Sequence, residues 1–305
     1  MANKPLSAIP EVTRSERTAV TAGSRPPSGR KKRLLLKGIR LTWLYALAIG
    51  LACITAFPLV WLVITIFKPT YEIFQYPPTL FAHVYTLANL RYALSATFLR
   101  PFFNSLYVTV VTSILQVLVN GLAGYSLAKH RFAGRTIIFY LFLSSMMVPF
   151  QIYLIPDFLI IKHLSLLDTR TALIITWVGS AGSVFLIRQY MLGLPDSTLE
   201  AARLDGASEW RTFFQIVVPM ATPVLGVVAI FSFFSQWNNL LMPLILIHSA
   251  SKYTLPLFLV FSPSSNPAQN MTAAFVTSIP PLIVFLLLQR YFSQGIALTG
   301  TGEQG

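Results

Sequence analysis

The chain has few charges, a single cysteine and apolar runs along nearly its whole length. Charged residues make up 11% of its 305 residues, hydrophobic residues make up 54%, and mean hydropathy is +0.64. A typical soluble domain carries about 25% charged residues. The lone cysteine, Cys53, has no partner for an internal disulfide and no neighbouring metal ligand, so we interpret it as a packing residue. This composition excludes a soluble globular domain and predicts a membrane protein with several spans.

Groups that an enzyme or a proton-coupled transporter would need are missing from the sequence. No Gly-x-x-x-x-Gly-Lys-Ser/Thr phosphate-binding loop occurs, so the chain is not predicted to hydrolyse ATP. The histidines lack the spacing of metal ligands, and we interpret them as solvated or interfacial: His83, His130, His163 and His248. No acid lies within an apolar run, where a proton relay would need one. The sequence therefore predicts a transport or structural component without cofactor or metal, and it argues against a membrane-embedded enzyme.

Uncharged apolar runs predict six membrane-spanning helices. A helix needs about 20 apolar residues to cross about 30 Å of hydrocarbon, and its backbone must be hydrogen-bonded internally. The predicted spans are residues 41–67, 101–128, 136–156 and 171–187, a part of the run 212–251, and residues 273–289. We expect an all-α polytopic membrane protein in which residues 41–294 form the transmembrane domain.

The placement of lysine and arginine predicts that both termini are cytoplasmic. With the N-terminus inside, the cytoplasmic segments hold 17 of the 23 basic residues and the outer segments hold six. Ten of the 17 lie in residues 1–40, which we interpret as a disordered basic tail that fixes topology and attracts anionic lipid. Charge alone would allow nucleic-acid binding, but this tail offers no aromatic or folded platform for it. Residues 295–305 are expected to form a cytoplasmic C-terminal tail.

A detailed polar segment lies between the fourth and fifth predicted spans, at residues 195–223. Pro195 and Asp196 predict a helix start, and Gly206 permits a sharp turn into a second short helix. Apolar side chains then follow at near-helical spacing: Trp210, Phe213, Phe214 and Ile216. Such a helix–turn–helix could bind in a groove on another protein, or it could be an amphipathic hairpin that rests on the lipid surface. The pattern alone allows both interpretations.

This segment resembles the Glu-Ala-Ala motif in permease subunits of binding-protein-dependent ABC importers. The motif reads Glu-Ala-Ala, three residues, Gly, nine residues, Ile, one residue, Leu-Pro. Its counterparts here are Glu200, Ala201, Ala202, Gly206, Ile216 and Pro219, with Val218 in place of the leucine. Asp205, Ala207 and Pro223 match the fuller pattern. The resemblance implies that residues 195–223, called the coupling loop below, enter a cleft of a cytoplasmic ATPase, with Phe213 and Phe214 among the contacts.

Other segments resemble the carbohydrate branch of these importers, specifically the maltose-type second permease. The similarity runs from about residue 36 to 297 and includes Phe67-Lys68-Pro69, Gly124-Tyr125-Ser126-Leu127-Ala128, Trp237-Asn238-Asn239 and Thr254-Leu255-Pro256. It implies a type I importer transmembrane domain in the bacterial inner membrane. The implied partners are a second permease subunit, two ATPase subunits and an extracytoplasmic solute-binding protein. The basic tail is longer than is typical of the family.

Polar residues within the predicted spans are candidates for contact with the solute. Trp237 beside Asn238 and Asn239 combines an aromatic ring with amides, and Gln151 and Asn120 are further candidates. Such amides also hold membrane helices together, so we expect Asn238→Ala to change transport affinity if the residue binds solute, or only protein level if it packs. The predicted spans contain no lysine or arginine, which favours a neutral sugar. A polyol or glycerol-phosphate solute and an ATPase-independent secondary transporter stay open as alternatives.

Overall fold

The computed structural model describes the backbone of residues 29–77, 79–261 and 263–300, and the side chains of residues 38–77, 79–261 and 263–291. The described backbone is helical and contains no strand, as expected from the sequence. Its α-helices are, in chain order, α1 (Gly29–Ile66), α2 (Thr70–Ile73), α3 (Ala88–Ala93), α4 (Ala96–Lys129), α5 (Arg135–Ser145), α6 (Phe150–His163), α7 (Arg170–Val178), α8 (Ala181–Leu192), α9 (Asp196–Leu204), α10 (Glu209–Thr212), α11 (Val218–Met220), α12 (Thr222–Trp237), α13 (Leu241–Leu246), α14 (Leu255–Phe261) and α15 (Pro267–Gly300). A π-helical turn, Phe213–Val217, joins α10 to α11, and a 3₁₀ turn, Ala250–Lys252, precedes α14.

Four stretches are long and apolar enough to cross a membrane: Gly38–Ile66, Ala96–Lys129, Glu209–Trp237 and Pro267–Tyr291. Two further segments are bent pairs, α5 with α6 at 106° and α7 with α8 at 43°. The chain therefore has six candidate spans if each bent pair counts as one. This agrees with the predicted class of an all-α polytopic protein.

The predicted third span, residues 136–156, is wrong as a single helix. α5 ends at Ser145, and Pro149 precedes α6 with an extended backbone at ψ 138°. Proline has no N–H to donate, and it disfavours helical backbone at the residue before it, so the chain bends here. The fourth predicted span is divided as well, because Gly179 is extended at ψ 125° between α7 and α8.

The first and last long helices extend past the predicted transmembrane domain, residues 41–294, whereas their candidate membrane stretches, Gly38–Ile66 and Pro267–Tyr291, lie close to its bounds. α1 begins at Gly29, inside the segment predicted as a disordered tail to residue 40, and the good helix formers Leu, Lys and Arg dominate this stretch. Residues 1–28 of that tail lie outside the described residues. α15 continues to Gly300, beyond the predicted boundary at residue 294.

The described part of the chain divides into two compact units, with the boundary between Pro58 and Leu59. In the first unit, the described side chains of α1 are exposed and mostly apolar, which suits contact with lipid or protein. The packing described below belongs to the second unit.

Helix α4 lies at the centre of the second unit, against α7, α8 and α12. At Gly124 it comes so close to α8 that an added Cβ would lie 2.6 Å from Ile187 Cγ2. Small residues permit such close approach between membrane helices. Apolar clusters on the flanks of α4 include the buried side chains Val108, Tyr125, Leu173, Ile187 and Val228.

Amide side chains of α4 satisfy the backbone at the break between α7 and α8. Asn120 Nδ2 donates to the carbonyl of Val178 at 3.0 Å, and its Oδ1 accepts the N–H of Ser180 at 3.1 Å. Gln116 Nε2 donates to the carbonyl of Trp177 at 2.6 Å. A helix break at membrane depth is tolerated only where other groups supply the missing hydrogen bonds. These two buried amides therefore make the bend possible.

The connection before α7 is fastened to the segment before α14 by Asp168. Its carboxylate accepts hydrogen bonds from the N–H groups of His248 and Ser249, from Ser249 Oγ at 2.5 Å and from Lys252 Nζ at 2.8 Å. Burial alone would raise the pKa of this carboxyl, but the hydrogen bonds from Lys252, Ser249 and His248 hold the pKa well below its usual range. The residue is therefore an ionised link between two loops.

Candidate functional site

The coupling loop folds as two short helices joined by a tight turn. The turn is at Gly206, which has φ +77°, a value that costs other residues about 1–2 kcal/mol. The N–H of Ala207 donates to the carbonyl of Ala202, and the N–H of Gly206 donates to that of Arg203, a paired pattern that closes helix ends. The Ser208 hydroxyl then accepts the N–H of Arg211 and caps α10. The turn predicted at Gly206 is thus present.

One face of the loop is buried within the chain. Leu199, Phe213 and Val217 belong to a cluster that also contains Tyr125 of α4, whose ring centroid lies 5.5 Å from that of Phe213. Ala202 is buried on the same face. Phe213 is only 2% exposed, so its predicted contact with a partner is wrong for this structure. Because residues four apart share a helix face, Val217 turns inward with Phe213.

The opposite face of the loop is open. Leu204 is 89% exposed, Trp210 is 64% exposed and Phe214 is 47% exposed, and the last two rings lie 6.2 Å apart. The exposed motif positions are Glu200, Ala201, Asp205, Gly206 and Pro219, while Ala207 and Ile216 are half-buried. Among the described residues no group bonds the Glu200 carboxylate. Large exposed apolar side chains among charges are typical of a surface that another molecule covers.

Polar contacts that the sequence did not predict join this loop to the end of α4. Glu209 lies 3.1 Å from His130 Nε2 and 3.2 Å from Arg203, and it accepts a hydrogen bond from the Tyr125 hydroxyl at 3.4 Å. His130 is therefore a half-buried partner of a carboxylate and not a solvated side chain. The sequence signal for these contacts was the cluster of basic residues at the end of an apolar helix, because cations are favourable near helix C-termini.

A second contact involves Lys129, the last residue of α4, whose side chain is 5% exposed. Its Nζ donates to Asp196 Oδ1 at 2.6 Å and to the carbonyl of Leu194 at 2.7 Å. The hydrogen bond from Lys129 lowers the pKa of the Asp196 carboxyl, and the charges of Lys129 and Arg131 add to the effect. Asp196 is thus an acceptor at the start of α9.

The structure separates the predicted solute contacts. Trp237 is buried and donates from Nε1 to the carbonyl of Thr277 at 3.1 Å, and Asn239 is buried between Gln236 and Met242. Asn120 is engaged at the helix break described above. These three residues hold the fold of this chain, and they do not form the joint sugar site that we expected. Asn238 and Gln151 are exposed, so they stay candidates for solute contact.

Two charged residues that flank predicted spans lie within helices. Arg100 is inside α4 and, with Phe103, Tyr107 and Arg170, lines an open groove of about 630 Å³. Asp157 is inside α6, directly after the predicted span 136–156. Both residues lie outside the predicted spans, so the helices continue past the ends of the uncharged runs. No cluster of possible metal ligands occurs in the part of the chain that the structure describes.

Comparison with known proteins identifies the family. The family model for the binding-protein-dependent transport system inner membrane component matches residues 48–298. The arabinooligosaccharides transport system permease protein AraQ of Halalkalibacterium halodurans is 35% identical over 268 residues, which cover 85% of this chain and 96% of that protein. The diacetylchitobiose uptake system permease protein NgcG of Streptomyces coelicolor is 32% identical, covering 83% and 86%.

Two further similarities extend this comparison. The sn-glycerol-3-phosphate transport system permease protein UgpE of Yersinia enterocolitica is 32% identical, over 74% of this chain and 84% of that protein. A chain from a crystal structure of a bacterial ABC transporter involved in import of the acidic polysaccharide alginate aligns with a TM-score of 0.73. That alignment covers 93% of this chain and all of the other at 22% identity, and it concerns the fold alone. The chain therefore belongs to the family of binding-protein-dependent transport system inner membrane components, as a multi-pass permease subunit.

Proposed function

We propose that this chain is one of two permease subunits of an ATP-driven importer for an oligosaccharide. It resides in the bacterial inner membrane with both termini in the cytoplasm. Two ATPase subunits bind the cytoplasmic side, and an extracytoplasmic binding protein delivers the solute. Membership of a binding-protein-dependent family supports this assignment, and the excess of basic residues in the segments placed inside supports the orientation.

The observation that carries the proposal is the open face of the coupling loop. Leu204, on the same face of α9 as Glu200, is exposed, as are Trp210 and Phe214, while the opposite face is anchored in the chain's own core. A surface helix that rested on lipid would not need a carboxylate on the same face as its exposed apolar side chains. A protein groove with a basic rim can bind both the apolar side chains and the carboxylate. The apolar contacts then contribute affinity, and the charge pairs fix the relative position of the two proteins. We therefore assign this face to an ATPase subunit.

The solute is proposed by similarity. Two relatives are named for arabinooligosaccharides and diacetylchitobiose, which supports an oligosaccharide. A glycerol-phosphate solute is the second candidate, because one relative is named for it and because Arg100 and Arg170 line the groove on α4. The sequence-based preference for a neutral solute depends on spans without basic residues, and Arg100 and Arg170 lie directly before two of those spans.

Purification of the tagged chain in mild detergent, followed by mass spectrometry and by uptake assays in vesicles, tests this function. We expect a P-loop ATPase and a second permease to be recovered in stoichiometric amounts. Gly206→Pro, which conflicts with φ +77°, and Glu200→Lys should abolish uptake while insertion into the membrane is unchanged. Gly134→Ala is the backbone control, because Gly134 also has positive φ but lies outside the coupling loop. A folded chain recovered alone, or normal uptake by both loop variants, would contradict the proposal.

A further inference from the structure

We propose that α4 is the membrane helix that receives the motion of the coupling loop, through a clamp formed by Lys129 and Glu209. The inference rests on the proposed function and names the residues through which the same site acts. The clamp holds the loop at two points, the start of α9 and the start of α10. We infer that these contacts persist while the transporter changes state.

The first point of the clamp is Lys129. Its side chain is almost completely buried, and its ammonium group bonds both the Leu194 carbonyl and the Asp196 carboxylate, at 2.7 and 2.6 Å. Asp196 is the first residue of α9. A buried ammonium that lost these acceptors would be left without compensation. The last residue of α4 and the first residue of α9 are therefore expected to move together.

The second point of the clamp is Glu209, the first residue of α10. Its Oε2 faces His130 Nε2 and the Tyr125 hydroxyl, while its Oε1 faces Arg203 of α9 at 3.2 Å. His130 Nδ1 is buried and has no partner among the described residues, so the proton is assigned to Nε2, where it points at the carboxylate. The two oxygens of one carboxylate thus connect α4 to both short helices of the loop.

The loop also has a route along the chain from α10 to α12. It passes through the π-helical turn Phe213–Val217, Pro219 and a turn at Ala221, where the N–H of Ala221 donates to the carbonyl of Val217 and the N–H of Leu225 donates to that of Ala221. π-turns and prolines are places where helices bend. By contrast α4 is a helix of 34 residues whose only internal proline, Pro101, lies near its other end. The clamp therefore gives the loop a second connection to the membrane, through a long helix, beside the one through its own chain.

The end of α4 is held in place by further contacts. Arg188 Nε donates to the carbonyl of Leu127, and Arg135 donates to the carbonyls of Ala128 and His130, each at 3.1 Å. These cations satisfy carbonyls that a helix end leaves unpaired. Further along α4, Asn120 and Gln116 bond the break between α7 and α8. A displacement received at Lys129 and Glu209 is thus passed to a bent span.

Glu209→Gln in the reconstituted complex, with both permeases, the ATPases and the binding protein, tests the clamp. The amide keeps the shape of the side chain but has one acceptor oxygen and no charge, so it cannot hold α4 and α9 together. We expect ATP hydrolysis to continue and the solute imported per ATP to fall about fivefold or more, the size of a typical coupling between sites. Gln215→Ala is the matched control, because the contact of Gln215 with Arg211 stays within one turn.

A cross-link distinguishes a coupling role from a structural one. The variant carries Glu209→Cys and His130→Cys in a Cys53→Ser background. It should import little solute per ATP until a short bis-methanethiosulfonate linker joins the two thiols. The linker should restore the ratio of solute to ATP, and a reductant should reverse the rescue. An unchanged ratio of solute to ATP in Glu209→Gln, or transport blocked by the linker, would contradict the clamp but not the proposed importer function. A wild-type complex without ATP-dependent uptake would instead overturn the proposed function, and the clamp with it.

Discussion

Asparagine in this chain serves two different roles that look alike in the sequence. Asn120 and Asn238 both lie in apolar surroundings and were both predicted to contact solute. In the structure Asn120 completes the backbone hydrogen bonds at Val178 and Ser180. Asn238 is exposed and, among the described residues, its side chain donates only to the carbonyl of Phe234 in the preceding helix. The difference depends on a helix break in another segment, which the neighbours of Asn120 in the sequence cannot reveal.

We predict that Asn120→Ala destabilises the protein without changing its solute preference. The substitution leaves the half-buried carbonyl of Val178 and N–H of Ser180 without this partner, and such a loss costs up to about 1–3 kcal/mol per group. Thermal unfolding of the detergent-solubilised protein measures the effect, with Asn238→Ala as the control that should change the unfolding temperature little. Equal stability of Asn120→Ala and wild type would show that the bend between α7 and α8 does not need this amide.

At the scale of the helices, the sequence predicted which segments enter the membrane but not how they bend. Hydropathy measures the length of an apolar run. The runs at 136–156 and 171–187 are long enough to be predicted as spans whether or not the helix is continuous. Pro149 and Gly179 were the signals for the breaks. They do not identify the breaks by themselves, because proline and glycine also occur inside unbroken membrane helices. Pro156, inside α6, is such a case.

The coupling loop was predicted more closely because its signals are local. The helix start at Asp196, the turn at Gly206 and the second helix follow from residues next to one another. The inward turn of Phe213 was not predicted, since it depends on contact with Tyr125 in a distant helix. Local chemistry thus determines the shape of the loop, and packing in three dimensions determines which face stays free.

A prediction at this scale concerns the link between two loops at Asp168. Asp168→Asn keeps the size of the side chain and tolerates its positive φ of 57°, but it removes the charge that Lys252 and Ser249 bond. We expect the free energy of unfolding at pH 7 to fall by about 1.5–3 kcal/mol, the range for hydrogen bonds to charged groups. Denaturant titration measures it, with Asp205→Asn as the control, because the described residues supply no hydrogen bond to that carboxylate.

The same variant has a defined pH dependence. The folded chain holds the pKa of Asp168 below its usual range, so its contribution is complete above the pKa of the unfolded chain, about 3.9, and is lost as the pH falls further. The difference between wild type and Asp168→Asn should therefore be constant near neutral pH and shrink below about pH 4. A difference that grew in acid would contradict the assignment of Asp168 as an ionised acceptor.

At the scale of the whole molecule, the family assignment depends on nearly the full chain. The match covers residues 48–298, and the relatives are similar to this chain over most of their own length. Such coverage indicates the same architecture. The names of the relatives range from oligosaccharides to glycerol phosphate, although their identities to this chain are close to one another. Overall similarity therefore does not determine the solute.

The central claim is that the open face of the coupling loop binds an ATPase. A photo-reactive amino acid at Leu204, the most exposed of the three apolar side chains on that face, tests it most directly in native membranes. We predict that illumination joins the chain to a P-loop ATPase, and that the same probe at Tyr76, 93% exposed between α2 and α3, does not. Cross-links from Leu204 to lipid alone, in membranes that contain the ATPase, would contradict the account.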